Sequence, residues 1–330
     1  MIRVAINGFG RIGRSFTRAI QKHPNINLVA INDLAPTNTL AHLLKYDSIH
    51  GAFNGKVSTE ENKILINDKA IQIYSEKDPE LLPWKALNID IVIESTGIFL
   101  TKELASKHLI AGAKKVILSA PPKSEDITTV VLGINDDVIT GNEQIISNAS
   151  CTTNAAAPLI KVLHDLYHIE SAYITTVHSY TSDQTLHDSP HRDLRRARAG
   201  AQSIIPTTTG AAKAITKIFP DLDGNIGGCG IRVPVPNGSL IDISVNLKEN
   251  PNVEEINNAF KKASENNLKN ILQYTEDPLV SIDIVGNAHS CIFDADLTSI
   301  TGNMVKVVGW YDNEMGYSNR LADLVEKISL

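Results

Sequence analysis

The sequence predicts an α/β protein of two domains, the first a doubly wound parallel sheet and the second an α+β unit with a mostly antiparallel sheet. Three observations carry that expectation. The chain has 330 residues, more than one hydrophobic core usually serves. In its first half, short β-branched runs alternate with helical patterns, as in a parallel sheet covered on both faces. In its second half Leu240–Leu247 alternates apolar and polar residues, the pattern of a half-buried antiparallel strand. The change of texture falls near Ser147–Cys151, which divides the chain into 1–149 and 150–313, with 314–330 as a terminal segment.

Taken in order, Ile2–Ile6 reads as a strand. Ile12–His23 reads as a helix with Ile12, Phe16, Ala19 and Ile20 on one face, and Asn27–Asn32 as a second strand. Runs at Asp90–Glu94, Val116–Ser119 and Thr129–Leu132 continue the first sheet. Beyond the boundary, Leu279–Val285 and Met304–Trp310 join Leu240–Leu247 as strand candidates, and Thr207–Phe219 and Val253–Glu265 look helical. Glu314–Ser329 is a terminal helix that could pack on either domain.

Bulk properties narrow the function. Hydrophobic residues make up 42% and charged residues 21%, enough apolar material for two cores. A net charge of -6 provides no general attraction to nucleic acid or anionic membranes, and no apolar run approaches the roughly 20 residues that span a bilayer. Met1–Ile6 lacks the apolar core of a signal peptide. Cys151, Cys229 and Cys291 are an odd, widely spaced set with no CxxC pair, which argues against a disulfide framework or zinc site and fits a reducing, cytoplasmic setting. His164 and His168 stand four residues apart without the glutamate of HExxH or a third ligand, so no metal is expected.

The first site signal is the glycine pattern of Gly8, Gly10 and Gly13. It follows a strand, opens a helix, and is followed about twenty residues later by Asp33 at the end of the next strand, the context of a Rossmann-type dinucleotide site. Gly8 permits the tight turn, Gly10 lets the backbone approach a pyrophosphate, and Gly13 lets the helix pack close to the strand. Asp33 would accept hydrogen bonds from the ribose hydroxyls and repel a 2′-phosphate, favouring NAD over NADP.

The second signal is Cys151 within Ser147–Asn154. Ser150, Thr152 and Asn154 are all N-cap types, and Leu159, Val162, Leu163, Leu166 and Tyr167 share a helical face, so a helix starts close to Cys151. Helix-start amides and the dipole stabilise a thiolate there. Pro158 sits best in a first turn, which leaves the helix start open. A nucleophile needs a base, and His178, ending the apolar run Ala172–Val177, is placed where active-site residues often lie. Anion-binding material follows: the basic run His191–Arg198, the helix opening Thr207–Ala212, and Arg232 in an apolar run, where an arginine needs either a ligand phosphate or an internal carboxylate.

The strings SNASCTTN, VHSYT, DLRRAR, TTTGAAKA, RVPVPN, WYDNEMGYSNR and INGFGRIGR, in this order apart from the last, which comes first, resemble the phosphorylating glyceraldehyde-3-phosphate dehydrogenases over essentially the whole chain. The resemblance implies a phosphorylating oxidation of D-glyceraldehyde 3-phosphate to 1,3-bisphosphoglycerate with NAD. Cys151 would form a thiohemiacetal and then a thioester, and His178 would raise the thiol's reactivity and take the proton. It further implies that Thr181 and Arg232 meet the substrate phosphate, and that Ser150, Thr152, Arg196, Thr209 and Gly210 meet the attacking inorganic phosphate. Arg11 and Ile12 would contact the pyrophosphate, Lys77 the adenine end, and Ser119 and Asn313 the nicotinamide. It implies a final helix returning to the first domain, and a homotetramer.

Three positions depart from the pattern. Ala155 stands where many members carry a second cysteine, and Ser182 replaces a common asparagine. Ser189 stands where strictly NAD-dependent members often carry leucine, so NADP use is not excluded. Two other readings stay open: an erythrose-4-phosphate dehydrogenase, whose members tend to depart from the TTTG cradle kept here as Thr207–Gly210, and a non-catalytic nucleotide-binding paralogue, which loss of Cys151, His178, Arg196 or Arg232 would favour.

Overall fold

The computed structural model describes Met1–Ser329; Leu330, the last residue of the expected terminal segment, lies outside the described residues. The chain forms two compact units. One takes Met1–Leu132, Asp136–Ser150 and the chain from Ser318 onward; the other takes Gly133–Asn135 and Cys151–Tyr317.

Among the described residues, the first unit is built on a nine-stranded sheet. Its spatial order is Thr128–Thr129, Ile145–Ser147, Lys115–Leu118, Ile91–Glu94, Ile2–Asn7, Ile26–Asn32, Lys69–Tyr74, Lys63–Ile66 and Val57–Glu60. The pairs from Thr128–Thr129 through Lys69–Tyr74 are parallel. Two antiparallel pairs extend the Lys69–Tyr74 edge. Val4, Ala5, Ile6, Val92, Ile93, Val116 and Ile117 are fully buried, which is why those runs are continuous rather than alternating. The strand order reverses at Ile2–Asn7, whose successor in sequence lies on one side and Ile91–Glu94 on the other. In such sheets ligands bind outside the carboxyl ends of the strands at that switch.

The expected first helix ends early. It runs over Arg11–Ala19 and closes with a 3₁₀ turn at Ile20–Lys22, because Pro24 disfavours helical geometry at His23. The apolar run Thr129–Leu132 is not a strand beyond Thr129; Val130, Val131 and Leu132 are nonetheless buried.

The second unit centres on a seven-stranded sheet ordered Ile205–Thr207, Ile226–Val233, Ile169–Ser179, Ser239–Leu247, Met304–Tyr311, Cys291–Thr301 and Leu272–Thr275. Four of its pairings are antiparallel and two parallel. Leu279–Val285 is not a strand. It contains a 3₁₀ turn at Ser281–Ile284, in which the Asp283 carboxylate accepts from the Val280 amide at 2.9 Å, a local bond that competes with strand pairing. The helix expected over Thr207–Phe219 covers Ala211–Ile218, Thr207 ending a strand instead. Val253–Glu265 is helical with an Asn252 cap, and the last helix spans Met315–Lys327.

The helix at the boundary starts at Cys151 and runs to Tyr167 through Pro158. Proline there removes the amide that would bond the Asn154 carbonyl. Full burial of Ala155, Ala156, Ala157, Leu159, Ile160 and Leu163 carries the helix across that defect. At about 25 cal/mol per Å² of apolar area, this burial outweighs one lost hydrogen bond of about 1 kcal/mol. Leu166, expected on the buried face, is exposed.

Candidate active site

The thiol and imidazole singled out by pattern are brought together in the second unit. Cys151 begins the helix, His178 is the penultimate residue of the strand Ile169–Ser179, and Cys151 Sγ lies 3.5 Å from His178 Nε2. Parallel register pairs His178 with Arg232 on the adjacent strand. Arg232 Nη1 donates to the Ser179 carbonyl at 2.9 Å and to Thr181 Oγ1 at 3.3 Å, and lies 3.1 Å from His178 Nδ1. The Ser179 carbonyl is also 2.7 Å from His178 Nδ1. With Nδ1–H donating to that carbonyl, Nε2 is left as the acceptor facing the thiol, the tautomer a general base requires.

Burial pushes the His178 imidazole down to about 3, helped by the positive charges of Arg232 and Arg196 and opposed by the Ser179 carbonyl. Burial pushes the Cys151 thiol up, while Arg232, the Thr152 hydroxyl and the Thr152 amide pull it back. Amides at the helix start and the charge of Arg232 favour the thiolate, but desolvation outweighs them. Tyr311 lies behind the pair, its ring edge-on to His178 and its hydroxyl 2.8 Å from Thr176 Oγ1 and 3.1 Å from Thr152 Oγ1. The Thr152 hydroxyl is thus buried and engaged by Tyr311.

Among the described residues Arg232 forms no ion pair with a carboxylate, and Asp183 acts on it through charge alone. Of the arginines in the basic run, Arg192, Arg195 and Arg198 are exposed and Arg196 is half-buried. Arg196 donates to Thr207 Oγ1 at 3.0 Å and the Thr208 carbonyl at 3.4 Å, and pairs with Asp183 at 2.8 Å. It is therefore the arginine held at the Thr207–Gly210 cradle. Thr209 Oγ1 accepts from the Ala211 amide at 3.2 Å, and Gly210 precedes the helix Ala211–Ile218 with no capping side chain. Asn313 is buried and accepts from Ser239 Oγ at 2.8 Å, and that same hydroxyl accepts from the Ser179 amide at 3.1 Å. Ser150 is half-buried immediately before Cys151.

The first unit carries a cavity of about 520 Å³, lined by residues that include Gly8, Gly10, Asp33 and Lys77. Gly8 has φ +92°, and a side chain there would lie 2.8 Å from the backbone of Ser95 and Thr96. A Cβ on Gly13 would meet the Gly8 carbonyl oxygen at 2.5 Å, the close packing of helix on strand. A Cβ on Gly10 would meet nothing within 4 Å, and Gly10 lines the cavity. Asp33 is fixed at the rim by amides from Phe9 at 2.7 Å and Ala35 at 2.9 Å. Cradle, open glycine and fixed carboxylate fit a dinucleotide.

Arg11, Ile12, Gly13 and Ser119 do not line the cavity. The Arg11 guanidinium forms a bidentate pair with Asp47 at 2.6 and 3.1 Å. Despite the opposing effect of burial, that pair and the His50 and Ile49 amides hold the Asp47 carboxyl at about 2. The Ser119 amide donates to the Glu94 carbonyl at 2.9 Å, just past a strand end. Sequence reasoning missed Asn7, Asn32, Glu76, Thr96 and Phe99 on the cavity wall. His164 is held within the fold, its Nε2 2.6 Å from Asp221 and its Nδ1 accepting from the Ile169 amide.

Two family models match the chain: glyceraldehyde 3-phosphate dehydrogenase, NAD binding domain, over residues 2–102, and glyceraldehyde 3-phosphate dehydrogenase, C-terminal domain, over 150–313. The chain is 54% identical over 330 residues to a glyceraldehyde-3-phosphate dehydrogenase of Geobacillus stearothermophilus, covering 99% of this chain and 98% of the relative. It is 52% identical to glyceraldehyde-3-phosphate dehydrogenase 1 of Bacillus subtilis over the same shares. It is 54% identical over 332 residues to the Mycolicibacterium smegmatis enzyme of that name, covering 98% of this chain and 97% of the relative. With both domain models in register and this identity over nearly the full length, the chain belongs to the glyceraldehyde 3-phosphate dehydrogenase family.

Proposed function

We propose that this protein catalyses the NAD-dependent, phosphorylating oxidation of D-glyceraldehyde 3-phosphate, with Cys151 as nucleophile and His178 as its base. The observation that carries the reading is the 3.5 Å approach of Cys151 Sγ to His178 Nε2 beside Arg232, whose Nη1 reaches Thr181 Oγ1 at 3.3 Å. Cys151 Sγ adds to the aldehyde carbon as its proton passes to His178 Nε2. The imidazolium returns that proton to the former carbonyl oxygen to give the thiohemiacetal, and the hydroxyl loses it again to Nε2 as the carbon is oxidised. Bound NAD supplies the acceptor for the hydride that leaves the same carbon. The product is a thioester, whose carbonyl inorganic phosphate attacks, releasing the acyl phosphate and the thiolate. Because the thioester keeps the energy of oxidation, phosphate rather than water must arrive first. Arg232 with Thr181 suits the substrate's own phosphate, and Arg196 with Ser150, Thr209 and Gly210 suits the attacking one, the Thr152 hydroxyl being taken up by Tyr311.

Asp33 supports NAD over NADP, and the family resemblance supports a cytoplasmic homotetramer, which a native mass four times that of one chain would test. The deciding assay follows phosphate-dependent reduction of NAD and NADP with glyceraldehyde 3-phosphate and, in parallel, erythrose 4-phosphate, with Cys151→Ser as control. NAD reduction with the triose, dependent on phosphate and abolished in the control, is expected. Preference for erythrose 4-phosphate would move the substrate, and inactivity with both would overturn the catalytic reading.

A further inference from the structure

Behind the wall of the dinucleotide cavity lies a buried chain of polar groups that the chemistry does not use. Glu94 ends a parallel strand, is fully buried, and receives four donors. Asn7 Nδ2 lies 2.6 Å and His108 Nε2 3.1 Å from its Oε2, and the Thr96 amide lies 2.8 Å from its Oε1, joined there by the Thr96 hydroxyl. Four donors are what a carboxylate, which can only accept, has room for. On the far side Trp84 Nε1 donates to His108 Nδ1 at 3.0 Å. The indole has no acceptor capacity, so it fixes the tautomer and obliges His108 Nε2 to carry the proton that points at Glu94.

On the near side Asn7 Oδ1 accepts from Asn32 Nδ2 at 2.7 Å, and Asn32 Oδ1 accepts from the Glu76 amide at 2.8 Å. Asn7, Asn32, Glu76 and Thr96 all line the cavity; Glu94 and His108 do not. The orientations of three strand ends and one loop thus converge on a single carboxylate.

We propose that Glu94 is a positioning residue for the dinucleotide, setting its affinity by holding Asn7 and the Ser95–Thr96 turn in the cavity wall. The proposal rests on the NAD reading above. A glutamine in its place has the same shape but carries a donor. Turned one way, its amide meets Asn7 Nδ2 and a histidine locked by Trp84; turned the other, it meets the Thr96 amide. Neither orientation satisfies all partners, and a buried unmatched donor is costly.

The test is isothermal titration of wild type and Glu94→Gln with NAD and with ADP-ribose, which lacks the nicotinamide, alongside steady-state kinetics. The expected result is at least ten-fold weaker binding of both ligands by Glu94→Gln, with kcat at saturating NAD within two-fold of wild type. Equal affinity in the two proteins, or a fall in kcat at unchanged KM for NAD, overturns the proposal. Failure of wild type itself to bind NAD would overturn the cofactor reading and the proposal with it. Should Glu94→Gln not fold, His108 offers the same test from outside the cavity. His108→Gln, which keeps a donor for Glu94, must hold NAD affinity within two-fold, while His108→Leu weakens it at least three-fold. Identical affinities in that pair overturn the proposal.

Discussion

Arg232 reaches the Cys151–His178 pair because parallel register sets it beside His178, and its charge acts on both partners with a definite sign. A cation favours thiolate over thiol and neutral imidazole over imidazolium. It therefore pulls the Cys151 thiol down against burial and adds to the fall of His178 to about 3. Replacing it with an uncharged Arg232→Gln side chain should raise the thiol's pKa and move the rate profile for alkylation by iodoacetamide to higher pH. A one-unit displacement corresponds to about a ten-fold slower reaction near neutrality. A profile that stays in place, or moves to lower pH, would mean that the helix start rather than Arg232 governs the thiol. His178→Asn removes the acceptor at Nε2 and should lower kcat by about 10²- to 10⁴-fold, the usual worth of a positioned base. Retained turnover would assign the proton transfer to another group.

At the scale of elements, two glycines of one turn have separable duties. Gly13→Ala puts a methyl 2.5 Å from the Gly8 carbonyl oxygen; helix and strand must part, at a cost of about 1–3 kcal/mol, and thermal unfolding should show it. Gly10→Ala meets nothing in the fold, so its melting temperature should stay near wild type while KM for NAD rises about ten-fold or more. Loss of stability in Gly10→Ala would show that the turn, and not the cavity, needs that glycine. These duties were legible in the sequence because glycine spacing reports backbone geometry directly. So were the strands expected at Ile2–Ile6 and Asn27–Asn32, whereas the partnership of Cys151 with His178 rested on the family resemblance, since a strand-end histidine alone reads more readily as structural. The wall residues Asn7, Asn32 and Thr96 were not legible. Each stands alone in its own segment, and only the registers Asn7–Asn32 and Asn7–Glu94 bring them together. Leu279–Val285 misled for a related reason: its alternation fits a strand, but a single Asp283-to-amide bond decides the local geometry.

At the scale of the whole molecule, the chain from Ser318 onward belongs to the first compact unit although it follows the whole of the second in sequence. Leu321, Ala322, Leu324 and Val325 on that segment are fully buried, so the unit that holds the dinucleotide cavity is completed only after the whole of the second unit has been made. Leu324→Ala should cost about 2–5 kcal/mol, the range for a buried leucine truncated to alanine. The cost falls on a unit with its own ligand, and a ligand that binds only the folded state restores stability by an amount fixed by concentration, about 2.7 kcal/mol at a hundred times its dissociation constant. Differential scanning calorimetry of Leu324→Ala should therefore show an early transition without NAD that saturating NAD carries back toward wild type. Inorganic phosphate, whose candidate ligands other than Ser150 lie in the other unit, should leave that transition largely in place. Recovery by phosphate and not by NAD would mean that the terminal helix stabilises the catalytic unit instead.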